Sequence, residues 1–144
     1  MTLTSLIKKP PLTLGPDETI GNAARAMVEH GVGAATVVEA RKIVGVVTER
    51  DVLKKVVAAG IDPATTRVRT IMTSPVFSVL ANTTVAAAAE LMRKHHIRHL
   101  VVLDESGAQV GMLSVRYLLY NAMDDLERKV DDLQNFVMTD GPGG

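Results

Sequence analysis

The sequence predicts an α/β fold made of two tandem copies of one small unit, followed by an extended C-terminal helix. Three observations carry this. A helix-strand-strand-helix pattern recurs at a fixed offset along the chain. The apolar residues are mostly Val, Ala, Leu, Ile and Met, with only 3% aromatics and no Trp, the mix of strands packed on small-faced helices. Near the end, apolar residues recur at steps of 4 and 3 between charged flanks.

The repeat is read from its helices. Thr19-Ile20 opens a pattern with Ala23, Ala24, Met27 and Val28 on one face. Thr84-Val85 opens another, with Ala88, Ala89 and Met92 at the same places. The offset is 84 minus 19, or 65, and the i, i+3, i+4, i+7 spacing is helical. Thr19 and Thr84 are predicted N-caps, and Gly31 is placed to end the first helix. Residues 32–38 and 97–103 follow as β-branched-rich strands. Polar turns come next, Glu39 to Lys42 and Asp104 to Gln109, and across them the offset between the copies grows by one residue. Residues 43–48 and 110–114 are then short strands that turn into helices. Extended lead-ins, 12–14 and 76–79, precede each copy, so each unit reads β-α-β-β-α. One unit is too small to bury its faces; two would share a core and leave a cleft between them. The predicted boundaries are 1–60 for the first repeat, 61–69 for a linker marked by Gly60, Asp62 and Pro63, and 70–120 for the second repeat. An amphipathic helix over 121–138 and a flexible glycine-rich tail over 139–144 complete the chain.

Leu119, Met123, Leu126, Val130, Leu133 and Val137 form a heptad seam over nearly three heptads. Such a seam either packs back on its own module or pairs with a partner helix. Its continuation past the second repeat favours pairing.

Composition excludes several classes. Lys+Arg and Asp+Glu are both 16, so no net field favours nucleic acid or an acidic membrane. Scarce aromatics argue against stacking on single-stranded nucleic acid. No apolar run is long enough to cross a bilayer, and residues 1–11 lack a signal-peptide pattern. With no cysteine there is neither a disulfide framework nor a thiolate metal site, which fits a cytoplasmic protein. His95, His96 and His99 span a helix end and a strand start and need not converge, so no metal site is expected. No nucleophile-base pair and no glycine-rich phosphate loop is visible, so an enzyme is not expected.

Thr48 and Asp51 are the sharpest polar pair. At i and i+3 they share one side of a first helical turn. Free N–H groups and the dipole there suit phosphate, and a carboxylate can accept two hydrogen bonds from paired hydroxyls. The same Thr-x-x-Asp spacing is also a capping pattern that needs no ligand, and spacing does not separate the two.

Three stretches then resemble a known family. Gly45-Val46-Val47-Thr48-Glu49-Arg50-Asp51 is similar to the Gly-h-x-Thr/Ser-x-x-Asp signature (h is apolar) of cystathionine-beta-synthase (CBS) domains. Ile71-Met72-Thr73-Ser74-Pro75-Val76 resembles that family's lead-in to a second copy, and Ile97 to Asp104 its second strand. Together they cover roughly 6–119 as a tandem CBS pair, or Bateman module. The resemblance implies a pseudo-twofold axis between the copies and a disc-like homodimer. It implies regulatory binding of an adenosine-containing ligand (AMP, ADP, ATP, NAD or S-adenosylmethionine), with Thr48 and Asp51 reading phosphate and ribose. By position, Met72, Pro75, Val76 and Phe77 would surround a purine, and Arg98 and His99 would meet phosphate, which favours a phosphorylated nucleotide over S-adenosylmethionine. Val76 and Phe77 read equally well as core, and Arg98 as a solvated strand residue. The second copy has Ser114 but Tyr117 in place of Asp, so a second site is expected to be degenerate, or Tyr117 to be plain core packing. A separate protein target is implied for the output. The alternative is an oligomerisation scaffold with an unused cleft.

Overall fold

The computed structural model describes residues 1–139. The predicted glycine-rich tail, apart from Thr139, lies outside the described residues. The first copy contributes β1 (Thr13–Leu14), α1 (Ile20–His30), β2 (Ala34–Glu39), β3 (Lys42–Thr48) and α2 (Glu49–Val52), which runs on as a π-helical turn over Leu53–Val57. After a loop and the short α3 (Val68–Ile71) come β4 (Ser78–Leu80), α4 (Val85–His95), β5 (His99–Leu103), β6 (Gln109–Ser114) and α5 (Val115–Thr139). Each copy holds a three-stranded sheet, in the orders β1-β2-β3 and β4-β5-β6. In each, the first pair is parallel, across a helix, and the second antiparallel, across a turn. Among the described residues no helix is long and apolar enough to cross a membrane.

The helix ends follow from the repeat. The Thr19 and Thr84 hydroxyls accept from the backbone N–H of Asn22 and Ala87 at 3.2 and 3.1 Å, which satisfies amides that the helix leaves free. Gly31 closes α1 at φ 65°. His96, at the same offset, closes α4 at φ 53° despite its Cβ.

The turns between the antiparallel strands differ. Ala40 and Arg41 both have positive φ, 51° and 66°, in the two-residue connection between β2 and β3. That geometry favours Asn-Gly over residues with larger side chains. Arg41→Gly is therefore expected to stabilise the fold by about 1 kcal/mol, read as a higher denaturant midpoint at unchanged m-value. In the second copy the connection is longer, residues 104–108, and holds Gly107 at φ 86°. There the Asp104 carboxylate accepts from the N–H of Ser106 and Ala108 at 2.9 and 3.0 Å.

Strand alternation sorts the core. In β2, Ala35 and Val37 face a cluster with Ile20, Ala23, Met27 and Val47. In β5, Leu100 and Val102 face a second cluster with Ala88, Met92 and Leu113. Thr36 points the other way and is 0% exposed. Its hydroxyl donates to Gln109 Oε1 of the second copy at 2.7 Å, so a buried polar group is satisfied across the junction.

The segments preceding the repeats are exchanged. Leu3 and Leu6 are buried in the second cluster, while Val68 and Ile71 are buried in the first. The backbone pairing obeys the same offset: Leu3 N–H donates to Thr83 O at 3.0 Å, and Val68 N–H to Glu18 O at 2.9 Å. Residues 61–69, read from sequence as a linker, thus end inside the first copy's core, and residues 1–7 of the expected first repeat complete the second. Neither Leu3 nor Val68 sits in a periodic run, so neither announces its partner.

Leu118 anchors α5 in the second cluster. Beyond it the helix is unbroken, with no boundary at residue 120. The six seam residues are 49–64% exposed, so the seam does not pack back on its own module.

Candidate functional site

A cleft of about 760 Å³ lies between the β3–α2 and β6–α5 turns, within the size range of small-molecule sites. Nine of the residues singled out from sequence line it: Thr48, Asp51, Pro75, Val76, Phe77, Arg98, His99, Ser114 and Tyr117. Met72 does not. It packs against the first core, and a Cβ on Gly45 would fall 2.6 Å from its Sδ. Thr73 takes the place in the lining, pinned by paired backbone bonds with Val46 at 2.8 and 3.0 Å. Tyr117 is 37% exposed, which rules out plain core packing. Phe77 lines the cleft and also stacks on His95, with ring centroids 4.7 Å apart. His95 is outside the lining whereas His96 and His99 are in it.

The capping reading of Thr48 and Asp51 holds in full. Asp51 N–H donates to Thr48 Oγ1 at 3.1 Å, and Thr48 N–H to Asp51 Oδ2 at 3.0 Å. A capping box leaves the other carboxylate oxygen available. Asp51 Oδ1 faces Lys55 Nζ at 3.1 Å and accepts from the Thr73 hydroxyl at 3.3 Å. Lys55 also donates to the carbonyl of Ile71 at 2.9 Å, tying the carboxylate to the second copy's lead-in. Asp51 is thus both a cap and a cleft-lining anion with its side chain 12% exposed. The second copy keeps half of this device: Tyr117 N–H donates to Ser114 Oγ at 3.1 Å, and the reciprocal carboxylate is missing.

Burial holds the His99 imidazole below its ordinary pKa; Glu49 pulls it up, Arg98 pushes it down, and Asp51 and Arg116 act more weakly in the same two senses. Charged groups from both copies therefore surround one ring. A folded pKa depressed for a base favours the neutral form, so folding loses stability as pH falls through the unfolded value of about 6.5.

Glu49, Arg50, Thr73, Arg116 and Tyr120 line the cleft without having been singled out from sequence. Arg50 and Arg116 carried a signal: each is the third residue of its helix-opening turn, at offset 66 once the longer second turn is counted.

A model of the CBS domain matches this chain twice, over residues 3–58 and 68–124. The mitochondrial CBS domain-containing protein CBSX3 of Arabidopsis thaliana is 35% identical over 121 residues, 78% of this chain and 58% of that protein. The CBS domain-containing protein YhcV of Bacillus subtilis is 35% identical over 111 residues, 77% of this chain and 78% of that protein. This chain spans about three fifths of the length of CBSX3 and of an uncharacterised Methanopyrus kandleri relative, at 58% and 61%. Among solved structures, a signal-transduction protein with CBS domains from Burkholderia ambifaria, described as putative, superposes with a TM-score of 0.79 at 34% identity, covering 87% of this chain and 96% of that one. A CBS domain protein of Pyrobaculum aerophilum, in complex with AMP, does so with a TM-score of 0.73 at 37% identity, covering 81% and 89%. With its two copies in register, its exchanged lead-in segments and its shared cleft, this chain belongs to the CBS-domain family as a tandem pair.

Proposed function

We propose that this chain is a non-catalytic regulatory module that binds an adenosine-containing nucleotide (AMP, ADP, ATP or NAD) between its repeats. Binding is passed on to a protein partner or to the module's own assembly. One observation carries the reading: a largely buried carboxylate, Asp51, held by a capping box in the lining of a cleft that also contains arginines. A ribose needs such an acceptor and a phosphate needs such donors. In this reading Thr48 and Asp51 hold ribose and phosphate, Pro75, Val76 and Phe77 flank the purine, and Arg98 and His99 meet phosphate. The AMP complex of the Pyrobaculum relative supports it. Lys55 already occupies part of Asp51, so the ribose shares or displaces that contact.

Output requires a ligand that prefers one of two states. The exposed α5 seam supports a homodimer as the assembly whose geometry changes. It equally supports the alternative, a scaffold whose cleft is unused.

The test is thermal melting with each nucleotide, beside Asp51→Ala and Asp51→Asn. A nucleotide at a hundred times its Kd adds about 2.7 kcal/mol to wild type and little to Asp51→Ala. Loss of the cap lowers the ligand-free midpoint of Asp51→Ala, so the ligand-dependent shift is the readout, and Asp51→Asn retains an acceptor for the Thr48 amide. A folded wild type that no adenosine nucleotide shifts would refute the sensor and leave the scaffold.

A further inference from the structure

The exchanged lead-ins place one side chain differently in the two copies. Arg69 N–H donates to the carbonyl of Pro16 at 2.9 Å, and Thr4 N–H to that of Ala81 at 3.1 Å. Arg69 and Thr4 are therefore counterparts. The same 65-residue offset pairs Asp17 with Asn82, Glu39 with Asp104 and Ala40 with Glu105, and strand register obeys it, Leu14 lying beside Val37 and Val79 beside Val102. In the first copy the Arg69 guanidinium sits between two carboxylates. It donates to both oxygens of Glu39, at 3.4 Å for Oε1, and lies 3.5 Å from Asp17 Oδ1. In the second copy Thr4 is too short to do this, and its hydroxyl donates back to the carbonyl of Ala81 at 3.1 Å. A cavity of about 420 Å³ lies at that place. Its polar lining is Thr4, Asn82, Asp104 and Glu105, and its apolar wall includes Ile7, Leu80 and Val110.

The second copy thus keeps the acceptors and lacks the donor. Asp104 Oδ1 is fixed by the Ser106 hydroxyl at 2.6 Å and by the Ser106 and Ala108 N–H groups. Those bonds, the Ser106 hydroxyl first, hold its carboxyl below the usual carboxylate range, so it is charged at neutral pH. Glu105 adds a second carboxylate where the first copy has Ala40. No basic side chain lines the cavity, and among the described residues neither Asp104 nor Glu105 belongs to a salt bridge. Leu80, 45% exposed, stands where the first copy has Gly15 and offers apolar surface to the aliphatic stem of a long cation. A planar guanidinium matches a carboxylate beside an amide oxygen better than an ammonium does. The cavity shares no lining residue with the cleft between the repeats.

We propose that this cavity receives an arginine side chain of a separate protein partner, which takes in the second copy the place that Arg69 fills in the first. The guanidinium meets Asp104, Glu105 and the side-chain oxygen of Asn82, and its stem lies along Leu80, Ile7 and Val110. A partner held there leaves the cleft between the repeats open. The proposal does not depend on what that cleft binds.

Amide-detected magnetic resonance titration of wild type, Glu105→Gln and Thr4→Arg tests it, with N-acetyl-arginine amide as the probe and N-acetyl-lysine amide beside it. Wild type is expected to show saturable shifts confined to the amides of Thr4, Asn82 and residues 104–108, with a Kd on the order of tens of millimolar for one charge-assisted surface contact. The lysine probe is expected to bind several-fold more weakly. Glu105 is exposed, and Glu105→Gln is expected to weaken the arginine probe several-fold with ligand-free melting unchanged. Thr4→Arg supplies the guanidinium from the chain itself, on a backbone that already carries an arginine in the first copy, and is expected to abolish the shifts. Absent shifts, equal affinity for the two probes, shifts of the same size along the acidic face of α5 at Asp124 and Asp131, or undiminished binding by Thr4→Arg would overturn the site. A wild type that loses mass in light scattering on Thr4→Arg substitution would make the occupant a second copy of this chain and overturn the separate partner.

Discussion

Leu3→Ala is expected to destabilise the protein by about 2–5 kcal/mol, the usual cost of emptying a fully buried leucine site, and to loosen the second repeat. Leu3 is 0% exposed and belongs to the cluster with Ala88, Met92, Leu100 and Val102. Its N–H also holds the carbonyl of Thr83, just before the cap of α4. Val68→Ala is the mirror experiment: Val68 is equally buried, in the cluster with Ile20, Ala23 and Val47. Denaturant midpoints give the magnitude, and amide exchange gives the place. Protection is expected to fall in α4 and β5 for Leu3→Ala, and in α1 and β2 for Val68→Ala. A Leu3→Ala protein whose α4 and β5 keep wild-type protection would show that the amino-terminal segment contributes nothing there.

The second large effect concerns assembly. Leu126→Glu with Val130→Glu is expected to convert a dimer into a 15.4 kDa monomer, measured by light scattering across a concentration series. Both residues lie mid-seam and are more than half exposed in the single chain. Each is worth roughly 1.5–3 kcal/mol when buried against a partner, and two glutamates at the same place add the cost of burying charge. Association itself costs some 4–15 kcal/mol, so losing two of six seam residues is enough to tip the balance. Glutamate is a good helix former, and α5 should persist locally. Exchange protection of β2 and β5 is expected to stay as in wild type. A wild type that is monomeric at high concentration, or a variant of unchanged mass, would sink the seam pairing.

Much of the fold was legible because its signals are local. Thr19 and Thr84 announce their helices through caps within three residues, and the hydrophobic spacing of α1 and α4 is self-contained. The alternation in β2 and β5 separates core from junction by period alone. Thr48 and Asp51 were legible for the same reason, and the structure shows how one pair serves as both cap and cleft wall. What stayed hidden depends on distant chain. Leu3, Leu6, Val68 and Ile71 lie in short segments without periodicity, and their burial is decided by distant chain: residues from Ala88 onward for the first two, residues from Leu14 to Val56 for the others. Met72 was placed at the purine by its position in the lead-in, but the bare Gly45 gives its side chain a closer home. Tyr117 reads from sequence either as a degenerate site residue or as core packing; its place at the cleft follows from the helix-opening turn it shares with Asp51. Arg116, like Arg50, stays hidden because an arginine in the first turn of a helix reads equally well as a solvated charge.

The exchanged lead-ins also set a schedule for folding during synthesis. Leu3 cannot find its carbonyl partner until Thr83 has been made, and Val68 must arrive before the sheet carrying Val37 and Val47 is closed over. Both contacts close long loops, and contacts of that kind slow folding because loop entropy is lost before packing repays it. A nascent first repeat therefore emerges with part of its apolar face uncovered and with its own leading segment waiting for a repeat not yet translated. Domains that finish one after the other on the ribosome bury their surfaces in sequence order; here the first core has all its members once Ile71 is made, while the second combines the segment made first with a repeat made last.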